Sequence, residues 1–399
     1  GSTQRSRTFS HVIVATGRFN KCHMPEVKGY VPGGALSIIH SREFKGSESL
    51  HGKRVMVVGS SISAYEIGGD IANDSKVKDI ISICRNPRYV LPKAKDLVPI
   101  EAQAFTRLQG LVAKHISAEA AAERIADFIE DPKNYGAPRP NTDASQLQVT
   151  FGSVWLQNVK DGRIRAMVAE IKEVEGTKVH LTNGATVEVD VIIMGTGYEL
   201  HTPFLSRDIR STIEVSRDFV HMYQRTFHPD LPNFACVGLF NQFGPYFPVM
   251  ELQSRWVSMV WKGVTALPSR EEQLQSIQHF KERSDTGSAV RKEGFFHQNL
   301  MTYAELCGVL PPLTERPDLL KPLLLGPLAP SVFRIRGHGA YPGAAEQFLE
   351  DADNFGLIPE KVPDNQLRIL EMVAQVLSTP EMQQAVQQLK ADAGASKAA

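Results

Sequence analysis

Lys53-Arg-Val-Met-Val-Val-Gly59-Ser-Ser-Ile-Ser-Ala64-Tyr-Glu-Ile67 is the stretch on which the fold turns. Val55 to Val58 is an unbroken apolar run that reads as a short buried strand, Gly59 ends it, and from Ile62 the pattern becomes helical. A strand feeding a tight turn and then a helix N-terminus points backbone N–H groups and the positive end of the helix dipole at an anion. This is the geometry that holds a dinucleotide pyrophosphate. The usual fingerprint is G-x-G-x-x-G/A; here Gly59, Ser61 and Ala64 occupy its three positions, with serine in the middle. Lys78 to Cys84 reads as the next strand, largely apolar as in a parallel sheet covered on both faces. Strand, helix and strand make one βαβ unit. An ordinary strand-to-helix turn has the same local pattern, so the rest of the chain has to discriminate.

The bulk properties narrow the class. A chain of 399 residues holds about two domains. Lys plus Arg and Asp plus Glu both number 44, so the net charge is zero and nothing marks a nucleic-acid or anionic-membrane partner. No apolar run approaches the roughly 18 residues of a membrane span, and Gly1 to Arg7 lacks the apolar core of a signal peptide. Cys22, Cys84, Cys236 and Cys307 are widely spaced, with no C-x-x-C or Cys/His cluster for a metal. They read as reduced, buried thiols, which fits a cytoplasmic protein.

Along the chain, Phe9 to Gly17 reads as a buried strand ending in glycine, and Ser37 to Phe44 as a short apolar piece. Lys93 to about Glu130 is mostly helical in pattern, with Ser117 capping a helix that runs through Glu123. Pro132, Pro138 and Pro140 then make a loop. Lys178 to Met194 carries two alternating runs around Asn183-Gly184, the strongest short-range hairpin signal. The second run continues into a buried strand and the turn Gly195-Thr196-Gly197-Tyr198. Leu231 to Phe240 is strand and loop, followed by a helix from about Val249; Arg270 to Glu293 is a polar helix. Leu319 to Phe333 is apolar but broken by Pro322, Pro327 and Pro330, and reads as a loop over the core or over a substrate entrance. From Ser378 a weakly amphipathic helix leads to a terminus of small residues that reads as disordered.

Aligning Phe9–Gly17 with Val189–Gly197 superposes two strands that each end in Thr-Gly. The repeat implies two related nucleotide-binding domains. In the second copy the order is complete: glycine loop, βαβ unit, hairpin, Thr-Gly. The first copy begins inside its hairpin, so its own glycine loop and βαβ unit are expected upstream of residue 1.

These stretches, in this order over roughly residues 8–350, resemble the flavin-containing monooxygenase family, the class B flavoprotein monooxygenases. Val12 to Gly17 is similar to the family's first Ala-Thr-Gly turn. His40-Ser-Arg-Glu-Phe44 is similar to the second half of its F-x-G-x-x-x-H-x-x-x-[FY] signature, whose first half is not kept. Gly52 to Ala64 resembles the NADPH loop, and Asp190 to Tyr198 the second Thr-Gly-Tyr turn. Phe247 to Trp256 and Gly337 to Ala344 resemble its C-terminal blocks. The fold implied is α/β, a flavoprotein with two dinucleotide-binding Rossmann-like domains and with the first βαβ unit absent. Its expected parts are residues 1–45, the remainder of the FAD-type domain; 46–195, the NADPH-binding domain; 196–360, the rest of the FAD-type domain with the substrate region; and 361–399, a C-terminal helix and tail.

The resemblance implies NADPH- and FAD-dependent oxygenation of a small molecule at N or S, or of a ketone in the Baeyer–Villiger branch, with the cofactors carrying the chemistry. It places Gly59, Ser60, Ser61, Ser63 and Ala64 on the NADPH pyrophosphate. Arg85, with Arg88 nearby, goes to the 2′-phosphate. Thr16 and Gly17 line the FAD side, and Thr196, Gly197 and Tyr198 the junction of nicotinamide and flavin. Gln242, Phe243, Phe247 and Gln253 lie near the isoalloxazine ring. For the two phenylalanines a place in the core is an equal alternative, and His40 reads as structural. The family's FAD loop belongs to the upstream segment, so this chain is expected to bind FAD only when that segment is supplied, from a partner or a second copy. Two other functions fit the residues: an FAD-free homologue performing a non-redox isomerisation, cyclisation or dehydration, and a non-catalytic NADP-binding module.

Overall fold

The computed structural model describes residues 6–113, 128–140, 149–284, 296–360, 362 and 364–395. The helix expected from Ser117 to Glu123, the Asp285–Glu293 end of the polar helix and residues 396–399 lie outside them. The chain forms two compact units: residues 19–97 with 117–199, and residues 1–18 with 98–116 and 200–399.

The unit that contains Gly59 is built on a parallel sheet. Its principal elements are β1 (Ser37–His40), β2 (Arg54–Val58), α1 (Ile62–Asn73), β3 (Asp79–Cys84), α2 (Ser153–Lys160), β4 (Arg165–Val168), β5 (Ile171–Glu175), β6 (Lys178–Leu181), β7 (Thr186–Glu188) and β8 (Val191–Met194). The sheet order is β4-β3-β2-β8-β1, every neighbouring pair parallel, and β2-α1-β3 is the expected βαβ unit. Strands β5, β6 and β7 form an antiparallel meander. Alternate side chains on a strand face opposite ways. Val55, Val57, Ile80 and Ile193 pack on Ala64, Tyr65 and Ile71 of α1 and on Trp155 and Leu156 of α2. Met56, Ile81, Ile192 and Met194 pack on Val174, Val179 and Leu181 of the meander. Helices cover one face and the meander the other, which is why these strands show no polar alternation. Each fully buried aliphatic side chain contributes about 1.5–3 kcal/mol.

The Asn183-Gly184 signal is a hairpin turn between β6 and β7. The Gly184 N–H donates to the Leu181 carbonyl at 3.1 Å, and Gly184 takes φ +87°. Gly68-Gly69, in the middle of α1, serves helix packing: a Cβ on Gly68 would lie 2.9 Å from Trp155 Cδ1, and one on Gly69 3.1 Å from the Trp155 backbone N. Register at the start of the sheet is held by Asp190. Its carboxylate accepts from the Arg54 backbone N–H at 2.8 Å, from Nε at 3.0 Å and from Nη2 at 2.6 Å. These bonds from Arg54 hold the Asp190 carboxyl below the usual carboxylate range.

In the other unit, Val12–Val14 pairs in parallel with Phe234–Cys236. The expectation that this strand is fully buried is corrected: Val14 is 4% exposed, but Val12 and Ile13 are 44% and 49% exposed. Among the described residues its single ladder partner is Phe234–Cys236, so one edge is left open. The main core gathers around α3 (Phe247–Trp261), α4 (Phe296–Leu306), α5 (Asp364–Leu377) and α6 (Pro380–Ala395). Three further expectations change. Leu319–Phe333 is core rather than a covering loop, because Leu320–Leu325 winds into a short helix that buries Leu320, Leu323 and Leu324. Residues 93–99 are not helical, because Asp96 and Leu97 take φ of +53° and +66°. The tail is helical to Ala395, its buried Met382, Ala385, Val386 and Leu389 supplying the packing that small residues alone do not. Among the described residues no helix is long and apolar enough to cross a membrane, and no cluster of His, Cys, Asp and Glu gathers to hold a metal.

Two outcomes follow for stability. Gly68→Val drives a branched side chain into Trp155 and lowers unfolding free energy by about 1–3 kcal/mol in urea titrations. The Asp190 contribution is complete above the unfolded carboxylate pKa of about 3.9 and is lost as pH falls through the lower folded value. Asp190→Asn is therefore less stable than wild type at neutral pH, and the gap narrows on acidification below pH ~4.

Candidate nucleotide-binding site

At the turn from β2 to α1, Gly59 takes φ +129°, and a Cβ there would lie 2.5 Å from the Gly195 carbonyl oxygen. A Cβ on Gly195 would in turn lie 2.8 Å from Ala64 Cβ and 2.9 Å from the Val58 carbonyl oxygen. The first turn of α1 thus rests directly on the chain that follows β8, with no room for larger residues at positions 59, 64 or 195. Ser61, the substituted middle position, takes φ −95° and ψ 174°, an extended conformation open to any residue. That geometry explains why serine is tolerated. Ser61 is the N-cap residue, yet its hydroxyl makes no capping bond. Ser61 and Ser63 are exposed, Ala64 is buried, and the Ser60 hydroxyl donates to the Asn86 carbonyl at 2.7 Å. A helix start without a side-chain cap, flanked by hydroxyls, suits a phosphate.

The loop after β3 carries both arginines. Arg85 is exposed, its Nε 3.6 Å from Glu170 Oε1, a surface pair of the kind that contributes little. Arg88 is mostly enclosed beside Tyr65 and Cys84, and desolvation pushes its pKa down. Its Nε is buried without a hydrogen-bond acceptor. An orphaned cationic donor beside a Cβ-free cradle fits an anionic nucleotide.

The Thr196-Gly197-Tyr198 turn is gripped from two sides. The Gly197 carbonyl accepts from the His23 backbone N–H and from His40 Nε2, both at 2.9 Å, and the Thr196 hydroxyl donates to the His23 carbonyl. His40 Nδ1 accepts from the Arg42 N–H at 3.2 Å, so the ring is neutral with its proton on Nε2. Burial lowers its pKa and keeps it so. His40 is structural, and Tyr198 packs edge-on against it. Gly17 and Gly197 take φ +73° and +82°, so both halves of the repeat end in a left-handed glycine.

In the other unit, Gln253 is fully buried and committed to protein. Its Oε1 accepts from the Gly238 N–H at 2.9 Å, and its Nε2 donates to Thr226 Oγ1 at 2.8 Å and the Cys236 carbonyl at 3.2 Å. These bonds hold the Tyr223–Thr226 turn, where Gln224 and Arg225 take φ of +46° and +54°. Two such non-glycine residues cost roughly 1–2 kcal/mol each. The Tyr303 hydroxyl donates to the Gln224 carbonyl at 2.6 Å. Arg225 Nη2 donates to Asn299 Oδ1 at 2.9 Å, and Asn299 Nδ2 donates to Gln242 Oε1 at 3.0 Å. Gln242 thus joins a buried polar chain, its own Nε2 donating onward to the Pro245 carbonyl. Phe243 is half-buried against Phe105, and Phe247 is 84% exposed at the start of α3. Sequence reasoning missed Arg225, Asn299 and Tyr303, which no local pattern links to Gln242.

Comparison with known proteins extends this geometry. The profile of a family described as flavin-binding monooxygenase-like matches residues 1–379. The chain belongs to that family. Flavin-containing monooxygenase 5 of Oryctolagus cuniculus is 27% identical over 367 residues, covering 88% of this chain and 67% of its own length. Dimethylaniline monooxygenase (N-oxide-forming) 2 of Rattus norvegicus is 28% identical, with the same coverage of 88% and 67%. This flavin-binding monooxygenase-like chain spans about two thirds of the length of the curated relatives it matches. Among solved structures, closed cyclohexanone monooxygenase shares its fold with a TM-score of 0.52 and 17% identity, over 75% of this chain and 73% of that one.

Gly59→Ala tests the cradle. The added methyl meets the Gly195 carbonyl in a backbone conformation that alanine resists, so nucleotide affinity and thermal midpoint are both expected to fall. Ser61→Gly removes no backbone requirement and leaves the thermal midpoint within about 2 °C.

Proposed function

We propose that the chain binds NADPH at the β2–α1 turn and works within an FAD-dependent monooxygenase that oxygenates a small molecule at N, S or a ketone. The observation that carries the nucleotide assignment is the contact of Gly59, Ala64 and Gly195, which brings an uncapped helix start against the sheet end. Family membership supports the oxygenase reading.

In this proposal Gly59, Ser60, Ser61, Ser63 and Ala64 hold the pyrophosphate through backbone N–H groups and hydroxyls. Arg85, exposed and loosely paired, turns to the 2′-phosphate, and Arg88 backs it with an unmet donor. Thr196, Gly197 and Tyr198 line the nicotinamide side, held in place by His40 and His23. Bound there, NADPH supplies reducing equivalents; the chain's own part is to bind, orient and exclude water. Thr16 and Gly17 lie on the FAD side, with Gln242, Phe243 and Phe247 toward the flavin. Gln253, its amide hydrogens taken by protein, sets the Tyr223–Thr226 turn from behind. Among the described residues the turn from the strand Val149–Phe151 through Gly152 into α2 also runs strand–glycine–helix, but Gly152-Ser-Val-Trp-Leu-Gln157 lacks the G-x-G-x-x-G/A pattern of a pyrophosphate loop. Domain limits near 45, 195 and 360 go with this proposal, β1 lending the NADPH-binding domain an edge strand. So do a cytoplasmic location and completion of the FAD site by a partner segment or second copy.

Calorimetric titration tests it directly. The chain is expected to bind NADP+, and Arg85→Ala to weaken NADPH by about tenfold or more while changing NADH less than about twofold. Equal losses for both nucleotides remove Arg85 from the 2′-phosphate. A folded chain that binds neither nucleotide overturns the proposal.

A further inference from the structure

The unit that contains α3 to α6 encloses a cavity of about 140 Å³. Leu319, Leu323 and Ile335 line it beside Pro311, and the two leucines are buried in the main core. The rest of its lining is charged. Glu315 and Arg336 are half-exposed and paired, with Arg336 Nη1 donating to Glu315 Oε2 at 2.8 Å. Arg316 donates to Asp318 through Nε at 2.9 Å and Nη2 at 2.6 Å. The cavity therefore runs from buried leucines to a mouth of two balanced ion pairs.

A well-packed core leaves few voids of this size, and the walls show why this one stays open. The Pro311-Pro312 backbone is stiff, since each ring fixes its φ. The Pro311 carbonyl accepts from the buried Arg107 guanidinium, and the Leu313 N–H donates to Glu381 of α6. The wall is thus tied back on both sides of Pro312 and does not fold inward. At the mouth, Glu315 Oε1 and Arg336 Nη2 have no hydrogen-bond partner among the described residues.

We propose that this cavity is a binding site for a neutral molecule of single-ring size with one hydroxyl end, of the phenol class. An apolar cavity of about 150 Å³ accepts a benzene-sized guest, so the ring occupies the leucine end. A charged guest would lose water at a mouth whose ion pairs sum to zero. A hydroxyl instead donates to Glu315 and accepts from Arg336. The proposal is independent of the nucleotide assignment above.

Methyl-resolved NMR of the whole chain, titrated with phenol, tests it. The Leu319, Leu323 and Ile335 methyl signals are expected to shift saturably, with a Kd of about 0.1–1 mM. Benzoate and benzylammonium are expected to bind at least about tenfold more weakly, and 2-naphthol to leave these signals in place. Methyls that do not shift up to about 5 mM phenol overturn the proposal. So does benzoate or 2-naphthol binding as tightly as phenol, because the site is then neither neutral nor ring-sized. Two variants add independent readings. Ile335→Trp fills the half-buried wall and is expected to abolish the phenol shifts at Leu319 and Leu323; phenol bound as in wild type overturns the cavity as its site. Glu315→Gln, at an exposed position that leaves the core intact, is expected to raise the phenol Kd about threefold or more. An unchanged Kd there overturns the hydroxyl contact.

Discussion

The missing Cβ atoms at Gly59 and Gly195 are the constraint on which the unit that contains Gly59 depends. With side chains there, α1 would stand off from the sheet by the width of a methyl group, and Ala64 would lose its seat. Because the approach is close, the Gly195 N–H reaches the Val58 carbonyl at 2.8 Å and the Gly59 N–H reaches the Ile83 carbonyl at 2.9 Å. The turn is therefore stitched to the strands on both sides of β2. What is left unsatisfied is the start of α1, and it is left so on the side where an anion gains from the helix dipole.

The opposite end of the same sheet is fastened by charge. Asp190 and Arg54 are 136 residues apart in sequence, yet Arg54 opens β2, Asp190 immediately precedes the neighbouring β8, and they share three hydrogen bonds. Between the two fastenings the strands need only be apolar, since α1 and α2 cover one face and the meander the other. Register is strongly set in such a sheet, because a one-residue slip exchanges the two faces. Val55 and Met56 would trade partners of quite different shape.

The other unit follows a different plan. Its strained turn at Gln224 and Arg225 persists because its two carbonyls are met by Tyr303 and Gln253 and its guanidinium by Asn299. Strain held in place by a buried polar network is a common mark of functional regions. Here the network includes Gln242, one of the residues that the family resemblance draws toward the flavin.

The sequence by itself determined the local pieces: the strand–glycine–helix turn at Gly59, the Asn183-Gly184 hairpin, the βαβ unit, the Thr-Gly repeat and, through them, the family. These are legible because side-chain periods of 2 and 3.6 residues and the positive φ of glycine are properties of a few consecutive residues. Tertiary structure alone decided how those residues are held and what each one meets. Ser61 is tolerated because its φ is extended, and Gln253 is committed because Gly238, Thr226 and Cys236 converge on it. Val12 and Ile13 are half-exposed because only one strand lies beside them among the described residues. Tyr65, inside the motif but outside its pattern, is buried because Trp155 of α2 stacks on its ring. Hydrogen-bond partners and packing neighbours far apart along the chain leave no local periodicity, so their pairing is written only in three dimensions.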